Sequence, residues 1–309
     1  MKILDWITRA GGSRFALLAS VLVAISGSDP AYSQSMNGVG KPMLGVYDPK
    51  GSFSSTPAFG IEHVFMPGQD VDLSSLRTAD QYAVQRGRQL LVTIEPWSWS
   101  ENSRLSSQEL GVQILAGAFD SQTKVFCETV SGLRSSVTIR WGQEMDETTG
   151  RYSWSLWPPE SYVKAYRRFV SECRKHAPHA RFMWSPKGEA TLARYYPGDD
   201  YVDAVGISVF ALQSYQQNEF GRDRNFAELL QERYDRVAQF QKPIQVAEAG
   251  CSGDVRYVET CIREIMAPGG TFPLLTGVVY FNAVEPYPWP GGYGHPDWTI
   301  PPSLFALTN

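Results

Sequence analysis

Eight short apolar runs, separated by stretches with a helical period, constrain this chain more than any other feature of it. The runs are Met43 to Tyr47, His63 to Met66, Gln89 to Ile94, Ser136 to Gly142, Arg181 to Ser185, Ala204 to Ser208, Ile244 to Ala247 and Gly277 to Phe281. Most are continuously hydrophobic, the pattern of strands covered on both faces. Amphipathic helices are expected at Leu73 to Arg88, Ser107 to Leu133, Pro159 to His176, Asn225 to Gln239 and Asp254 to Met266. Strands and helices alternating in this way build parallel βαβ units. Eight strands in this length predict an α/β fold, a single (β/α)8 barrel over residues 42–309, close to the usual size of about 250 residues. A doubly wound open sheet is the alternative, but it calls for a GxGxxG fingerprint after the first strand, and the chain has none.

Composition narrows the partners. The 309 residues carry 28 Lys+Arg against 32 Asp+Glu, a net charge of −4, with no basic run, so nucleic acid is not expected. At the start, Lys2, Arg9 and Arg14 precede the apolar run Phe15 to Ile25, and Ala31-Tyr32-Ser33 offers small residues to a peptidase. Residues 1–33 therefore read as a signal peptide, residues 34–41 as a short tail, and the run is too short for a membrane span, which takes about 20 residues. An uncleaved membrane anchor is the alternative. The expected product is secreted or periplasmic, monomeric, and without a membrane span after cleavage.

Export makes the cysteines readable. Cys127, Cys173, Cys251 and Cys261 form no CxxC and have no nearby His, which favours two disulfides over zinc or four free thiols. Three connectivities are open, and the ten-residue spacing of the last two favours Cys251 with Cys261 and Cys127 with Cys173.

In a barrel of this kind the chemistry lies where strands end and βα loops begin. Glu144 follows the fourth run within Arg140-Trp141-Gly142-Gln143-Glu144-Met145-Asp146, and Glu248 ends the seventh. Carboxylates there face each other across the mouth, as glycosidic bond cleavage requires: one acid protonates the leaving oxygen and an ionised partner meets the anomeric carbon. Asp48 and Glu95, at the ends of runs one and three, either bind sugar hydroxyls or cap turns. Asp199, Asp200 and Asp203 fit a turn better than a metal cluster, and His63, His176, His179 and His295 lack zinc-ligand spacing. No GxSxG elbow exists. No cofactor and no metal are expected.

Three segments together resemble glycoside hydrolase family 26: Arg140-x-x-Gln143-Glu144-Met145-Asp146, Tyr196-Pro197-Gly198-Asp199-Asp200-Tyr201-Val202-Asp203-Ala204-Val205-Gly206, and Glu248. The likeness runs from about Gly45 to Trp298. It implies a secreted retaining (β/α)8 enzyme acting on β-mannan, β-glucan or xylan, with Glu144 as acid/base and Glu248 as nucleophile. Two positions depart from the family pattern. Gln143 stands where the family has His, and it can donate to a sugar hydroxyl but cannot titrate near neutral pH. Phe210 stands where a Tyr hydroxyl would hydrogen-bond the nucleophile, so Tyr215 or Tyr280 is expected to serve Glu248 instead. Arg140, on the same side of its strand as Glu144, either lowers the pKa of Glu248 or forms a structural ion pair.

The aromatic residues complete the picture. Trp6 belongs to the leader, while Trp97, Trp99, Trp141, Trp154, Trp157, Trp184, Trp289 and Trp298 fall at or after strands three, four, five and eight. Stacking on uncharged sugar rings is expected from Trp97, Trp141, Trp184, Phe210, Tyr215, Tyr280 and Trp289, with Gln143 and Arg140 as polar contacts. The partner expected is thus a neutral polysaccharide, plant-derived or a bacterial exopolysaccharide trimmed during export. A sugar-binding barrel without catalysis and a protein-interaction surface are the competing functions.

Overall fold

The computed structural model describes residues 41–268 and 272–305, so the leader and all of the tail but Lys41 lie outside the described residues. Eight strands follow one another: β1 (Met43–Tyr47), β2 (Phe59–Pro67), β3 (Gln89–Glu95), β4 (Val137–Trp141), β5 (Arg181–Trp184), β6 (Ala204–Leu212), β7 (Ile244–Ser252) and β8 (Leu275–Phe281). Each runs parallel to its sequence neighbour, and β8 pairs with β1, which closes the expected barrel. Around it lie α1 (Leu73–Gln85), α2 (Ser107–Ala116), α3 (Asp120–Ser131), α4 (Pro159–His176), α5 (Gln213–Phe220), α6 (Phe226–Val237) and α7 (Val255–Met266).

Local chemistry explains these elements. In α4, Pro159 begins the helix, where its missing N–H costs nothing, and Arg174, Lys175 and His176 end it beside the carbonyl dipoles. Its buried face is Tyr162, Ala165, Tyr166, Phe169, Val170 and Cys173, spaced by three and four residues as one helix stripe. Burying each large apolar side chain there contributes about 1.5–3 kcal/mol. The stretch from Ser107 to Leu133 is two helices rather than the one expected, because Gly117 turns left-handed at φ 86° and caps α2. The acidic Asp199–Tyr201 segment is a 3-10 turn into β6, where Asp203 accepts the Phe182 N–H at 2.8 Å. Disulfides join Cys127 to Cys173, tying α3 to α4, and Cys251 to Cys261, tying β7 to α7.

Alternation along the strands sorts side chains into the barrel or out to the helices. Ile61, Leu91, Met183, Ala204, Ala247 and Val279 pack together inside it. Two residues further along their strands, His63, Thr93 and Ser185 join Arg140 and Glu248 in a buried hydrogen-bonded layer. The inside thus changes from apolar to polar towards the C-terminal end, where the site lies.

Candidate active site

The backbone after β4 is bent to present Glu144. Gly142 is left-handed at φ 58° and Glu144, which carries a Cβ, is left-handed at φ 53°. A side-chain-bearing residue in that region is held there by its surroundings. The Glu144 N–H donates to Ser185 O at 2.8 Å, Trp154 Nε1 donates to Gln143 O at 2.6 Å, and the Tyr162 hydroxyl donates to Gly142 O at 3.0 Å.

Glu248 arrives differently from its expected position at a strand end. It lies inside β7, which runs on to Ser252, as β6 runs on to Leu212. Register jumps from Ile207 opposite Val246 to Ser208 opposite Glu248, so Ala247 is an extra residue. Such a bulge re-aims the side chain that follows it. Gly250, two residues on, leaves room for the mouth aromatics: a Cβ there would sit 2.7 Å from Phe210 and 2.8 Å from Trp298.

Arg140 joins the two carboxylate-bearing strands. Its Nη1 donates to Glu248 Oε1 at 2.6 Å and its Nε to Ser185 Oγ at 2.8 Å. Burial pushes the Glu248 carboxyl up to about 7; Arg140 pulls it down, and Glu144 and Glu285 push it up. The carboxyl expected to be ionised is therefore one whose pKa burial raises. Burial and the Arg140 charge hold His63 well below the ordinary imidazole range, so it is neutral.

Glu95 organises the other flank. Its Oε2 accepts from Trp99 Nε1 at 2.6 Å and Trp97 Nε1 at 3.2 Å, and its Oε1 accepts from Gln143 Nε2 at 3.0 Å. One of the two Gln143 Nε2 hydrogens is thus engaged by Glu95, while Oε1 is buried without a partner. Asp48 caps a turn: its carboxylate accepts the Phe53 N–H at 2.6 Å and Asn282 Nδ2 at 3.0 Å.

A cavity of about 330 Å³ opens over this layer, walled by Tyr47, Phe65, Glu95, Trp99, Arg151, Tyr152, Glu248, Glu285 and Tyr287. Phe210, Tyr215 and Trp289 continue this aromatic lining from Phe281, with Phe210 centred 6.2 Å from Phe281 and from Trp289, and Trp289 centred 5.9 Å from Tyr215. Trp97 packs behind Trp99, against Trp154 at 4.9 Å. Three residues expected at the mouth are elsewhere. Trp141 stacks on Phe169 of α4 at 5.5 Å, and Trp184 packs on Tyr196 and Phe240. The Tyr280 hydroxyl donates to Trp298 O at 2.8 Å, so it does not serve Glu248, and Tyr215 packs on Tyr293 and Trp289. The reason is strand alternation: their neighbours Arg140, Ser185 and Phe281 point inward, so Trp141, Trp184 and Tyr280 point outward.

Arg151, Tyr152, Glu285 and Tyr287 line the cavity although sequence reasoning did not single them out. Their only signal was aromatic content in the loops after β4 and β8, and the Arg151 to Glu285 contact joins residues 134 positions apart. Among the described residues no group of three His, Cys, Asp or Glu is placed to hold a metal, and no helix is long and apolar enough to cross a membrane.

Comparison with known proteins bears on the same segment. The sequence profile of glycosyl hydrolase family 26 matches residues 130–259. A β-1,3-xylanase of Alcaligenes sp. is 25% identical over 188 residues, covering 57% of this chain and 37% of the relative, so the chain spans little more than a third of that relative's length. The catalytic domain of an endo-β-1,4-mannanase from Bacillus sp. JAMB-750 superposes with a TM-score of 0.62 at 15% identity, covering 81% of this chain and 79% of that one. A β-mannanase from Bacteroides ovatus gives 0.57 at 16% identity, with 88% of each chain covered. These two likenesses concern the barrel. Residues 130–259, which carry Arg140, Gln143, Glu144 and Glu248, match the family model over that barrel, so this segment of the chain is similar to family 26 glycoside hydrolases.

Proposed function

We propose that the chain is a secreted, retaining endo-β-glycanase acting on a neutral polysaccharide of the β-mannan or β-glucan type. The similar proteins, named as a β-1,3-xylanase and endo-β-1,4-mannanases, support keeping both xylan and mannan among the substrates to test. In the first step a Glu248 oxygen bonds to the anomeric carbon as the glycosidic bond breaks, and Glu144 gives its proton to the departing oxygen. Glu144, now ionised, then takes a proton from water as that water attacks the anomeric carbon and frees Glu248.

The observation that carries this reading is the 2.6 Å contact between Arg140 and Glu248 at the floor of an aromatic cavity. A guanidinium there favours the ionised carboxylate that attack needs, against the burial that opposes it. Aromatic walls such as Trp99, Tyr152 and Tyr287 suit uncharged sugar rings. Export is supported by the two disulfides, which persist in oxidising compartments.

The test is release of new reducing ends from mannan, mixed-linkage glucan, xylan and a bacterial exopolysaccharide. Wild type is expected to act on one linkage class and Glu248→Ala to lose product while retaining polymer binding. Binding without product in wild type would instead favour the sugar-binding barrel, and equal activity in Glu248→Ala would remove that residue from the mechanism.

A further inference from the structure

Arg104 lines the cavity from the loop after β3, just past the 3-10 turn Glu101–Ser103. The other arginines at or beneath this cavity each meet a carboxylate: Arg140 meets Glu248 and Arg88 meets Glu62, both at 2.6 Å, and Arg151 meets Glu285. Among the described residues Arg104 meets none. Its one side-chain hydrogen bond runs from Nε to Ser98 O at 3.1 Å, and its guanidinium carbon lies 3.9 Å from the centre of the Trp97 ring.

These two contacts fix the group and leave its outer edge open. Ser98 is buried, and its hydroxyl donates to Asp70 Oδ2 at 2.6 Å and accepts the Ser100 N–H at 3.0 Å, so the residue that holds Nε is itself held. Trp97 is 3% exposed and its Nε1 donates to Glu95 Oε2, which pins the ring beneath the guanidinium. What remains is the edge formed by Nη1 and Nη2, whose spacing matches the two oxygens of a carboxylate. Unlike Arg140 Nη2 and Arg151 Nε, neither of these atoms is shut away without a partner, so both can be reached from solvent.

Two carboxylates share this part of the cavity. Glu95 is committed to the Trp97 and Trp99 indoles and the Gln143 amide, and Glu101 is exposed, where water and salt screen it. Both oppose an incoming anion from a distance, whereas a two-pronged contact acts at hydrogen-bond range on a guanidinium already stripped of water on one face. A sugar hydroxyl satisfies one arm of that edge. A planar carboxylate satisfies both, and in a polysaccharide a uronic acid supplies it.

We propose that Arg104 binds the carboxylate of a uronic acid carried as a branch on an otherwise neutral backbone. This rests on the glycanase reading above and adds the charged substituent by which the site selects among polymers of one linkage.

The first measurement needs no turnover. Dissociation constants of methyl β-D-glucuronide and methyl β-D-glucoside are measured by ligand-observed NMR at low ionic strength, in wild type, Arg104→Gln and Arg104→Lys, with melting curves run in parallel. The wild type should bind the glucuronide about tenfold more tightly, the lower end of what hydrogen bonds to a charged group contribute. Arg104→Gln should bind the two alike, and Arg104→Lys should keep only part of the preference, because an ammonium is a point charge without the fork. Added salt should shrink the wild-type preference and leave glucoside binding unchanged. Equal binding of the two glycosides by the wild type, or a preference that persists in folded Arg104→Gln, overturns the proposal. The second measurement is release of reducing ends from a polymer with uronate branches and from the same polymer with its carboxyls reduced to alcohols. A rate that drops about tenfold on reduction in wild type and not in Arg104→Gln ties the site to turnover. Absence of product from every polymer, with the glucuronide preference intact and dependent on Arg104, sinks the glycanase reading and supports the carboxylate site.

Discussion

Arg140 on β4 and Glu248 on β7 meet at 2.6 Å inside the barrel, with side chains 0% and 10% exposed. Neither charge has much water to fall back on, so each depends on the other. Removing one partner of a buried pair typically costs about 3–5 kcal/mol, because an uncompensated charge remains. The pair therefore bears on reactivity and folding together.

The pH profile should report this pair. Glu248 must be ionised to attack, and its pKa is pushed up to about 7. The acid limb of kcat/KM in the wild type is therefore expected above the ordinary carboxylate range, with activity rising through it until loss of the Glu144 proton brings it down again. Arg140→Met removes the charge that pulls the pKa down, so the limb should move to higher pH. A limb unmoved in that variant would remove Arg140 from control of Glu248.

Stability should depend on pH with a definite sign. Both Glu62 and Glu248 have carboxyls raised from the ordinary 4.5 to about 7, chiefly by burial. Below about 4.5 both the folded and unfolded states are protonated. Between about 4.5 and 7 the unfolded state loses these protons while the folded state keeps them, so stability falls as pH rises and levels off above 7. Urea midpoints across that range should show the decline, and Glu248→Gln should flatten its share. A wild-type slope of opposite sign in the same window would contradict this contribution.

Gln143 is oriented by Glu95, whose carboxylate can only accept while ionised, so the amide nitrogen faces it and Oε1 is left for another donor. Glu95→Gln can satisfy that contact in either amide orientation and loosens both tryptophan indoles, so kcat/KM should fall by about tenfold, the worth of one or two such bonds. Gln143→His, which restores the residue usual in the family, should keep activity and add a titration near neutral pH. Steady-state kinetics against pH decide both, and an added titration absent from an active Gln143→His variant would show that this position does not touch the reacting groups.

Much of the barrel was legible because its physics is local. Met43–Tyr47 and Pro159–His176 match their expected bounds, one a run of strand formers and the other a helix with proline at its start and basic residues at its end. The polar helix Gln213–Phe220 was not legible, since it has no apolar stripe to read. At the site, Glu144 and Glu248 stood out at the ends of hydrophobic runs, but the bulge at Ala247 depends on how β6 and β7 pair. Trp141 and Trp184 were misplaced although alternation from Arg140 and Ser185 already sends them outward. Arg151 and Glu285 meet only through closure of the ring.

The disulfides should differ in their worth. Cys127–Cys173 closes 46 residues and Cys251–Cys261 only ten. Chain entropy puts their contributions at about 4 and about 2.7 kcal/mol. Denaturant unfolding of the two Cys→Ala pairs should therefore show the larger loss for residues 127 and 173. Loss of kcat should be confined to the other pair, whose Cys251 lies three residues beyond Glu248 on β7. Equal effects on kcat from both pairs would contradict that coupling.

The most direct test of the account is covalent trapping. The wild type is incubated with a fluorinated glycoside of whichever sugar its active linkage contains, a reagent that slows release of the glycosyl-enzyme, and peptides are mapped by mass spectrometry. The account predicts one added sugar on Glu248 and none in Glu248→Gln. Label on any other carboxylate, or turnover with inversion and no adduct, would contradict it.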